Sequence, residues 1–328
     1  MARVTIVVLG GTITMVPQAS GGIAPSVSGD DLVAAVPQLA DIAMIDVVTP
    51  FLVPGASLSF AQMAAVADMI TAAGQKGADG VVVVQGTDTI DETSFLLELA
   101  CGTRPESPAI VVTGAMRGAA APGADGHANL LAAVLVAASR KSRGKGALVV
   151  LNDEIHAARF VQKMDTGLPS AFLSPGLGPI GTVTEGKLHL RLVPEALALP
   201  ALPLGCAAPV AIVQTGLGDD GRLIDSIPDA GFQGAVIAAM GAGHVPAQIV
   251  PKLEALAARM PVVLATRVPA GSVFTESYGF PGSEIDLIRR GLIPSGLLPP
   301  HKARLLLGCL IGAGFTAKEI QTCFQAFA

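Results

Sequence analysis

The sequence predicts an α/β protein, with a larger amino-terminal domain on a doubly wound, mostly parallel sheet and a smaller carboxy-terminal α/β domain. Short runs of β-branched residues alternate with longer helical patterns, which is typical of βαβ units. The 328 residues exceed the ~100–200 of a typical single domain. Hydrophobic residues make up 51% and charged residues 14% of the chain, which is enough apolar surface for two cores.

The first half contains five predicted strands, each a short run of mainly apolar residues. They are Val4–Leu9, Met44–Val48, Gly80–Val84, Ala109–Thr113 and Ala147–Leu151. Helices are predicted between them, at Asp30–Gln38, Ser59–Ala73, Thr89–Gly102 and Gly126–Arg140. We expect Ser59 and Thr89 to be N-caps, and Glu92 to complete a capping box with Thr89. Residues 160–193 should form shorter strands and turns.

A segment rich in Pro, Leu and Ala, with little charge, separates the two predicted domains. The prediction is an amino-terminal domain at residues 1–193, a linker at 194–208 and a carboxy-terminal domain at 209–328. The second domain repeats the alternation on a smaller scale. Its predicted strands are Val210–Gln214, Ala235–Ala239 and Val262–Ala265, and its predicted helices are Pro246–Ala258 and Lys302–Gly312.

Charge and hydropathy argue against two classes of partner. The formal net charge is -5 and no dense Lys/Arg cluster occurs, so we expect no nucleic-acid partner. No apolar run reaches the ~18 residues of a spanning helix, so we expect no membrane association. A strand-like run follows Met1 to Arg3 at once and leaves no room for a signal peptide, which predicts a cytoplasmic protein.

The cysteines and histidines show no metal-binding pattern. The four cysteines have no CxxC spacing, and the five histidines form no HExxH motif. We therefore expect no bound metal, and we expect the cysteines to be free, buried thiols.

Three glycine- and threonine-rich loops follow predicted strands of the first domain. They are Gly10–Thr14, Gln85–Thr89 and Thr113–Arg117. In open α/β sheets ligands bind beyond the carboxyl ends of the strands, so these loops are candidates for a site. Glycines let the backbone approach a ligand and leave N–H groups free to face a developing oxyanion. A threonine hydroxyl is a weak nucleophile that needs a base, and Asp88 with a lysine elsewhere could provide the proton relay.

In this order the three loops resemble the asparaginase family of bacterial types I and II, including the glutaminase-asparaginases. The first loop with Leu9 reads Leu-Gly-Gly-Thr-Ile where the family has Thr-Gly-Gly-Thr-Ile, and this implies a nucleophile at Thr12. The second reads Gln-Gly-Thr-Asp-Thr where the family has His-Gly-Thr-Asp-Thr. This implies that Thr87 is the second catalytic threonine and that Asp88 holds the substrate's α-ammonium.

The resemblance implies further residues in the first domain. The family's catalytic lysine falls on Lys163, because flanking segments on both sides also match. The backbone of Ala115 should lie beside the substrate amide. The loop of Ala56 and Ser57 should hold the α-carboxylate, although the family usually has Ser and Gln there.

The glycines of the two signatures, Gly11 and Gly86, complete the predicted substrate-binding set in this domain.

In the second domain the family glutamate that reaches a neighbouring subunit's active site aligns with Glu284. His244 stands where the family usually has an Asn that approaches the partner's site. The family's lid tyrosine is missing from residues 15–30, and the chain contains one tyrosine, Tyr278. We hypothesise that Tyr278 takes its place as a catalytic phenol. The alternative is a tyrosine packed with Phe274 and Phe280.

The function implied by the resemblance is hydrolysis of L-asparagine to L-aspartate and ammonia through an acyl-enzyme, with no metal or organic cofactor. Self-association into a homodimer or homotetramer is also implied. Three alternatives are a glutaminase-asparaginase that also takes L-glutamine, the amidase subunit of a tRNA-dependent amidotransferase, and a non-catalytic amino-acid-binding protein. The chain's length speaks against the subunit. Neither GxGxxG nor GxxxxGK[ST] follows a predicted strand, which speaks against a nucleotide-binding protein.

Overall fold

The computed structural model describes residues 1–17, 21–102 and 104–328. It divides the chain into two compact units, Met1–Ala201 (unit 1) and Leu202–Ala328 (unit 2). The division falls within the segment predicted as a linker. The predicted fold class is confirmed, since an α/β unit with a large sheet precedes a smaller α/β unit.

Unit 1 contains twelve strands and five helices in its described residues. The strands are β1 (Ala2–Val8), β2 (Met15–Pro17), β3 (Ile23–Pro25), β4 (Ala43–Val48), β5 (Gly80–Val84), β6 (Ala109–Thr113), β7 (Ala147–Leu151), β8 (Glu154–Ala157), β9 (Gln162–Lys163), β10 (Phe172–Leu173), β11 (Gly181–Thr184) and β12 (Lys187–Leu190). The helices are α1 (Gly29–Ala34), α2 (Leu39–Ile42), α3 (Phe60–Gln75), α4 (Ile90–Cys101) and α5 (Gly126–Ala138). Short 3-10 turns lie at Thr12–Thr14, Gly55–Ser57, Thr87–Thr89 and Arg140–Ser142.

The main sheet of unit 1 has the strand order β12-β11-β8-β7-β6-β5-β1-β4. Strands β4, β1, β5, β6 and β7 are parallel, and the remaining strands pair antiparallel at one edge. The parallel strands therefore run second, first, third, fourth, fifth in chain order. This is a doubly wound order whose topological switch point lies between β1 and β5.

The central strands are buried on both faces, which explains their continuous apolar runs. In β5, Val82 and Val84 belong to the core that includes α5, and Val81 and Val83 are equally buried. Successive side chains of a strand point to opposite faces, and helices α3 and α4 also contact the sheet. Because these strands are parallel, their carboxyl-terminal loops emerge at the same edge of the sheet.

Two helix predictions in unit 1 differ from the structure. The predicted helix at residues 30–38 is broken, because α1 ends at Ala34 and α2 begins at Leu39. Pro37 accounts for the break, since proline lacks an N–H and disfavours helical geometry in the preceding residue. The predicted capping box of Thr89 and Glu92 is wrong, because the Thr89 side chain makes no cap hydrogen bond. Its hydroxyl instead donates to the Gly55 carbonyl at 3.0 Å.

The predicted cap at Ser59 is confirmed. Its hydroxyl accepts a hydrogen bond from the backbone N–H of Gln62, and the Gln62 side chain accepts one from the backbone N–H of Ser59. This capping box fixes the start of α3 directly after the turn that contains Ala56 and Ser57.

Unit 2 is built on a parallel sheet in the order β13-β14-β15-β16. The strands are β13 (Val210–Gln214), β14 (Gly234–Ala239), β15 (Val262–Thr266) and β16 (Ile293–Pro294). The helices are α6 (Arg222–Ser226), α7 (Val250–Ala257), α8 (Glu284–Arg289), α9 (Pro300–Gly312) and α10 (Ala317–Gln325). The predicted helix at 246–258 starts with a 3-10 turn, Ala247–Ile249, and Pro251 occupies the first turn of α7, where proline is tolerated.

In the described part of the chain, the helices all fall short of the length and apolarity needed to cross a membrane.

Candidate active site

Three loops of unit 1 meet backbone to backbone at the carboxyl ends of β1 and β5. A methyl group on Gly11 would lie 2.2 Å from the backbone nitrogen of Gly86. A methyl group on Gly86 would in turn lie 2.6 Å from the backbone nitrogen of Gly55. Gly11 also has a φ of +93°, which favours glycine. Only residues without a side chain allow this approach, and it brings the loops together at the switch point of the sheet.

Hydrogen bonds that continue the sheet hold these loops in register. The N–H of Leu9 donates to the Val84 carbonyl at 2.8 Å, and the N–H of Val53 donates to the Leu9 carbonyl at 2.9 Å. The N–H of Gln85 donates to the Thr113 carbonyl at 3.0 Å. The loops therefore leave the sheet from fixed positions.

Thr12 and Thr87 are the first residues after the touching glycines, and each begins a 3-10 turn. The turn of Thr12 is closed by Thr14, whose hydroxyl donates to the Gly11 carbonyl at 2.8 Å. Thr12 is half-buried and Thr87 is buried. Because Gly11 and Gly86 are in contact, the two threonines start from neighbouring backbone positions.

Lys163 joins the second threonine to the neighbouring carboxylate. Its Nζ donates to Thr87 Oγ1 at 2.9 Å and to Asp88 Oδ1 at 2.9 Å. The Lys163 side chain is 18% exposed, whereas that of Asp88 is 64% exposed. An amine and a hydroxyl at hydrogen-bond distance are in position to exchange a proton, and the open side of Asp88 is free to meet a cationic group.

An open cleft of about 500 Å³ lies beside this pair, a size that fits a small ligand. Its lining includes Asp88, Lys163 and Asp165. The Asp165 carboxylate accepts hydrogen bonds from the N–H groups of Gly167 and Leu168, and these lower its pKa. The cleft therefore presents an additional carboxylate that stays ionised at neutral pH.

Gln85 ties two of the loops together. Its fully buried amide donates to the Gly86 carbonyl at 3.2 Å and to Thr89 Oγ1 at 3.3 Å, and it accepts from Thr93 Oγ1 at 2.8 Å. Thr89 in turn donates to Gly55. No role was predicted for Gln85, although a polar residue directly after the apolar strand β5 is a recognisable signal.

The loop of Ala115 is held by two polar residues at the start of α5. The Asp125 carboxylate accepts from the N–H groups of Met116 and Arg117 at 3.0 and 2.9 Å. The Asn129 amide donates to the Gly114 carbonyl at 3.0 Å. Ala115 is fully buried, so this loop contributes backbone rather than side chain. Sequence reasoning missed both Asp125 and Asn129.

Ala56 and Ser57 lie in the 3-10 turn that starts at Gly55, and both are exposed. Because Gly55 touches Gly86, this turn borders the same loops as Thr87. The structure thus brings the predicted residues of unit 1 together, in loops that contact or adjoin one another and, for Lys163, at the end of β9.

The three predicted residues of unit 2 also lie together. The rings of His244 and Tyr278 meet edge to face with centroids 4.8 Å apart, and Phe280 contacts both. His244 Nε2 lies 3.2 Å from Glu284 Oε2. Tyr278 is 44% exposed, whereas Glu284 is fully buried.

Glu284 organises the loop that carries Tyr278. Its Oε1 accepts hydrogen bonds from the N–H groups of Ser277 and Tyr278 at 3.0 and 2.7 Å. Burial by itself would raise the pKa of Glu284, but these bonds and those from its own N–H and His244 outweigh burial and lower the pKa. The carboxylate is therefore ionised at neutral pH and holds the Tyr278 loop through its backbone.

No cluster of three or more His, Cys, Asp or Glu side chains in the described ranges could hold a metal ion.

The fold and the loops define an enzyme of the amidohydrolase class, as comparison with known proteins makes clear. A family model described as Asparaginase, N-terminal, matches residues 3–195, and one described as Glutaminase/Asparaginase C-terminal domain matches residues 209–324. The chain belongs to the asparaginase family.

Individual relatives match along the whole chain. The chain is 34% identical to a probable periplasmic L-asparaginase of Haemophilus influenzae, over 100% of this chain and 93% of that one. It is 32% identical to a glutaminase-asparaginase of Pseudomonas aeruginosa, over 100% of this chain and 91% of that one. The crystal structure of a probable cytoplasmic L-asparaginase from Campylobacter jejuni superposes with a TM-score of 0.89 at 29% identity, with both chains fully covered.

Replacing Gly11 by Ala tests the contact between the loops. The left-handed φ should cost about 1–2 kcal/mol, and the clash with Gly86 should add about 1–3 kcal/mol to the loss in free energy of unfolding. Gly77→Ala is a matched control, because Gly77 has a φ of +84° but no atom within 4 Å of the added methyl group. Urea unfolding measures both variants. An equal loss in the two would contradict the close contact.

Proposed function

We propose that the chain hydrolyses the side-chain amide of L-asparagine to L-aspartate and ammonia through a Thr12 nucleophile. The observation that carries this proposal is the contact of Lys163 Nζ with both Thr87 and Asp88, next to the loop of Thr12. Membership of the asparaginase family supports the same chemistry.

In the first step the Thr12 hydroxyl oxygen attacks the amide carbon. The backbone N–H groups of the glycine loops stabilise the oxyanion that develops on the carbonyl oxygen. The C–N bond breaks, the proton of the threonine hydroxyl goes to the leaving nitrogen, and ammonia departs. An ester between Thr12 and the aspartyl group remains.

In the second step water attacks the carbonyl carbon of this ester. Thr87 takes up the proton of the water and passes it along its hydrogen bond to Lys163, whose amine is also held by Asp88. The C–O bond to Thr12 breaks, Lys163 returns the proton by way of Thr87 to the departing Thr12 oxygen, and L-aspartate leaves.

Substrate recognition follows from charge. Asp88 presents an exposed carboxylate edge to the α-ammonium, while the turn of Ala56 and Ser57 offers N–H and hydroxyl donors to the α-carboxylate. Ala115 supplies backbone beside the amide.

L-glutamine is a second candidate substrate, because several relatives that span the chain are named glutaminase-asparaginases. One methylene in a pocket changes discrimination by only about 1–3 kcal/mol. Ammonia release from L-asparagine, L-glutamine and D-asparagine, measured in parallel, distinguishes the two enzymes. A non-catalytic amino-acid-binding protein releases none.

Self-association and a cytoplasmic location are parts of the same proposal. The exposed aromatic group of Phe274, Tyr278 and Phe280 in unit 2 supports a homodimer or homotetramer in which one subunit's loop completes its partner's site. The name of the Campylobacter jejuni neighbour supports the cytoplasm. Cell fractionation and light scattering measure the two properties.

Thr12→Ala and Lys163→Met should each lower kcat by at least about 10³-fold, because they remove the nucleophile and the base of its relay. Thr12→Ser keeps a hydroxyl and should retain part of the activity. Exposed Thr322→Ala and Lys187→Met serve as matched controls. Residual activity above a tenth of the parent's in either test variant would refute the assignment.

Asp88→Ala should raise KM by about 30-fold or more, because the α-ammonium loses a charged partner worth about 2 kcal/mol at this open position. It should also reduce kcat, since Asp88 contacts Lys163. Steady-state kinetics separate the two effects, with Asp220→Ala as the exposed-carboxylate control. An unchanged KM would show that another group anchors the ammonium.

Tyr278→Phe removes a hydroxyl and keeps the ring that packs on His244. If Tyr278 supplies the phenol beside the nucleophile, kcat should fall by about 10²–10³-fold with little change in Tm. A near-parental kcat would mean that Tyr278 is a packing residue, as its contacts with His244 and Phe280 also allow.

A further inference from the structure

The segment that carries Lys163 is held by a buried carboxylate of helix α4. The backbone N–H of Lys163 donates to Asp91 Oδ2 at 3.2 Å. Asp91 lies in the first turn of α4 and is 7% exposed. The bond is made to the backbone, so it fixes where the Lys163 side chain starts without using its amine.

A second buried carboxylate of the same helix holds the chain four residues earlier. The Arg159 guanidinium forms an ion pair with Glu98, in which Arg159 Nε donates to Oε1 at 3.1 Å and Nη2 makes a further contact with the same oxygen. The two side chains are 7% and 1% exposed. Arg159 also donates to the Glu195 carbonyl at 2.8 Å. A buried ion pair with this many hydrogen bonds fixes both the position and the orientation of the Arg159 side chain.

The spacing of the two carboxylates along α4 matches the spacing of the two residues that they hold. Residues seven apart in an α-helix lie on the same face, so Asp91 and Glu98 are about 10 Å apart along α4. Arg159 and Lys163 are four residues apart, and an extended chain of four residues spans at most about 13 Å. The segment from Arg159 to Lys163 can therefore follow the helix from one carboxylate to the other.

Helix α4 also begins directly after Thr87–Thr89, the turn that contains the hydroxyl and carboxylate bound by Lys163. Helix α4 therefore positions the backbone of Lys163, through Asp91, and also the turn of Thr87 and Asp88 that the Lys163 amine contacts. We propose that Asp91 is a positioning residue that places Lys163 Nζ against Thr87 and Asp88, with the Glu98–Arg159 pair as a second anchor. Its consequence for catalysis rests on the function proposed above.

The kinetic test compares variants in the first turn of α4. Asp91→Ala and Asp91→Leu both remove the acceptor, and Leu keeps the branched shape of the buried side chain in case the cavity left by Ala prevents folding. Each should lower kcat about 10–100-fold with less than about a threefold change in KM, because misplacing a catalytic group by about 1 Å costs up to about 10²-fold. Asp91→Asn keeps an acceptor oxygen and should restore most of kcat.

Glu92→Ala is the matched control, since it removes a carboxylate and its interaction with the helix dipole from the same turn but leaves Asp91 in place. It should leave kcat within about threefold of the parent's. Equal losses of kcat in the Glu92 and Asp91 variants, or a parental kcat in the folded Asp91→Leu, would overturn the proposal.

A crystal structure of Asp91→Leu, or of Asp91→Ala, gives a readout independent of substrate. The distance from Lys163 Nζ to Thr87 Oγ1 should exceed the hydrogen-bond limit of about 3.2 Å, but it should stay near 2.9 Å in Glu92→Ala. An unchanged distance in the Asp91 variant contradicts the positioning role, even if the parent hydrolyses L-asparagine. If the lysine is displaced in the variant but the parent releases no ammonia from L-asparagine, the positioning role is supported and the proposed function is refuted.

Discussion

The architecture of unit 1 depends on the contact between the backbones of Gly11 and Gly86 at the switch point between β1 and β5. Gly11 could not carry a side chain against the backbone of Gly86, and Gly86 could not carry one against the backbone of Gly55. This approach makes Thr12 and Thr87 start from neighbouring backbone positions at the carboxyl ends of β1 and β5. The parallel strands β1 and β5 bring both loops to the same edge of the sheet, and the glycines let the two backbones come into contact there.

Around this contact, buried polar side chains fix the loops to one another. Gln85 bonds to Gly86 and Thr89, and Thr89 reaches Gly55, so one hydrogen-bond chain connects two of the loops. Asp91 likewise holds the Lys163 segment, by accepting a hydrogen bond from the Lys163 backbone N–H. Buried polar groups are costly unless they are paired, so each of these residues specifies one arrangement of the loops. The second signature of the family usually begins with His where this chain has Gln85, and the amide makes the connections described here.

Much of this could be read from the sequence because its signals are local. Gly80–Val84, Ala109–Thr113 and Ala147–Leu151 were predicted with the bounds that the structure shows, because they are short runs rich in β-branched and apolar residues. The Thr89 cap was wrong because a distant carbonyl, that of Gly55, competes for its hydroxyl. Asp91 and Arg159 were missed for a related reason: they act through partners more than 60 residues away, a distance that local spacing does not encode.

The central claim is that the meeting loops form a site for a side-chain amide, flanked by two threonine hydroxyls and anchored by Asp88. The most direct measurement is a crystal structure of the protein with the product, L-aspartate. The account predicts the side-chain carboxylate about 3 Å from the hydroxyls of both Thr12 and Thr87, and the α-ammonium in hydrogen-bond contact with Asp88. Aspartate bound away from Thr12, or bound with its ammonium remote from Asp88, would contradict it.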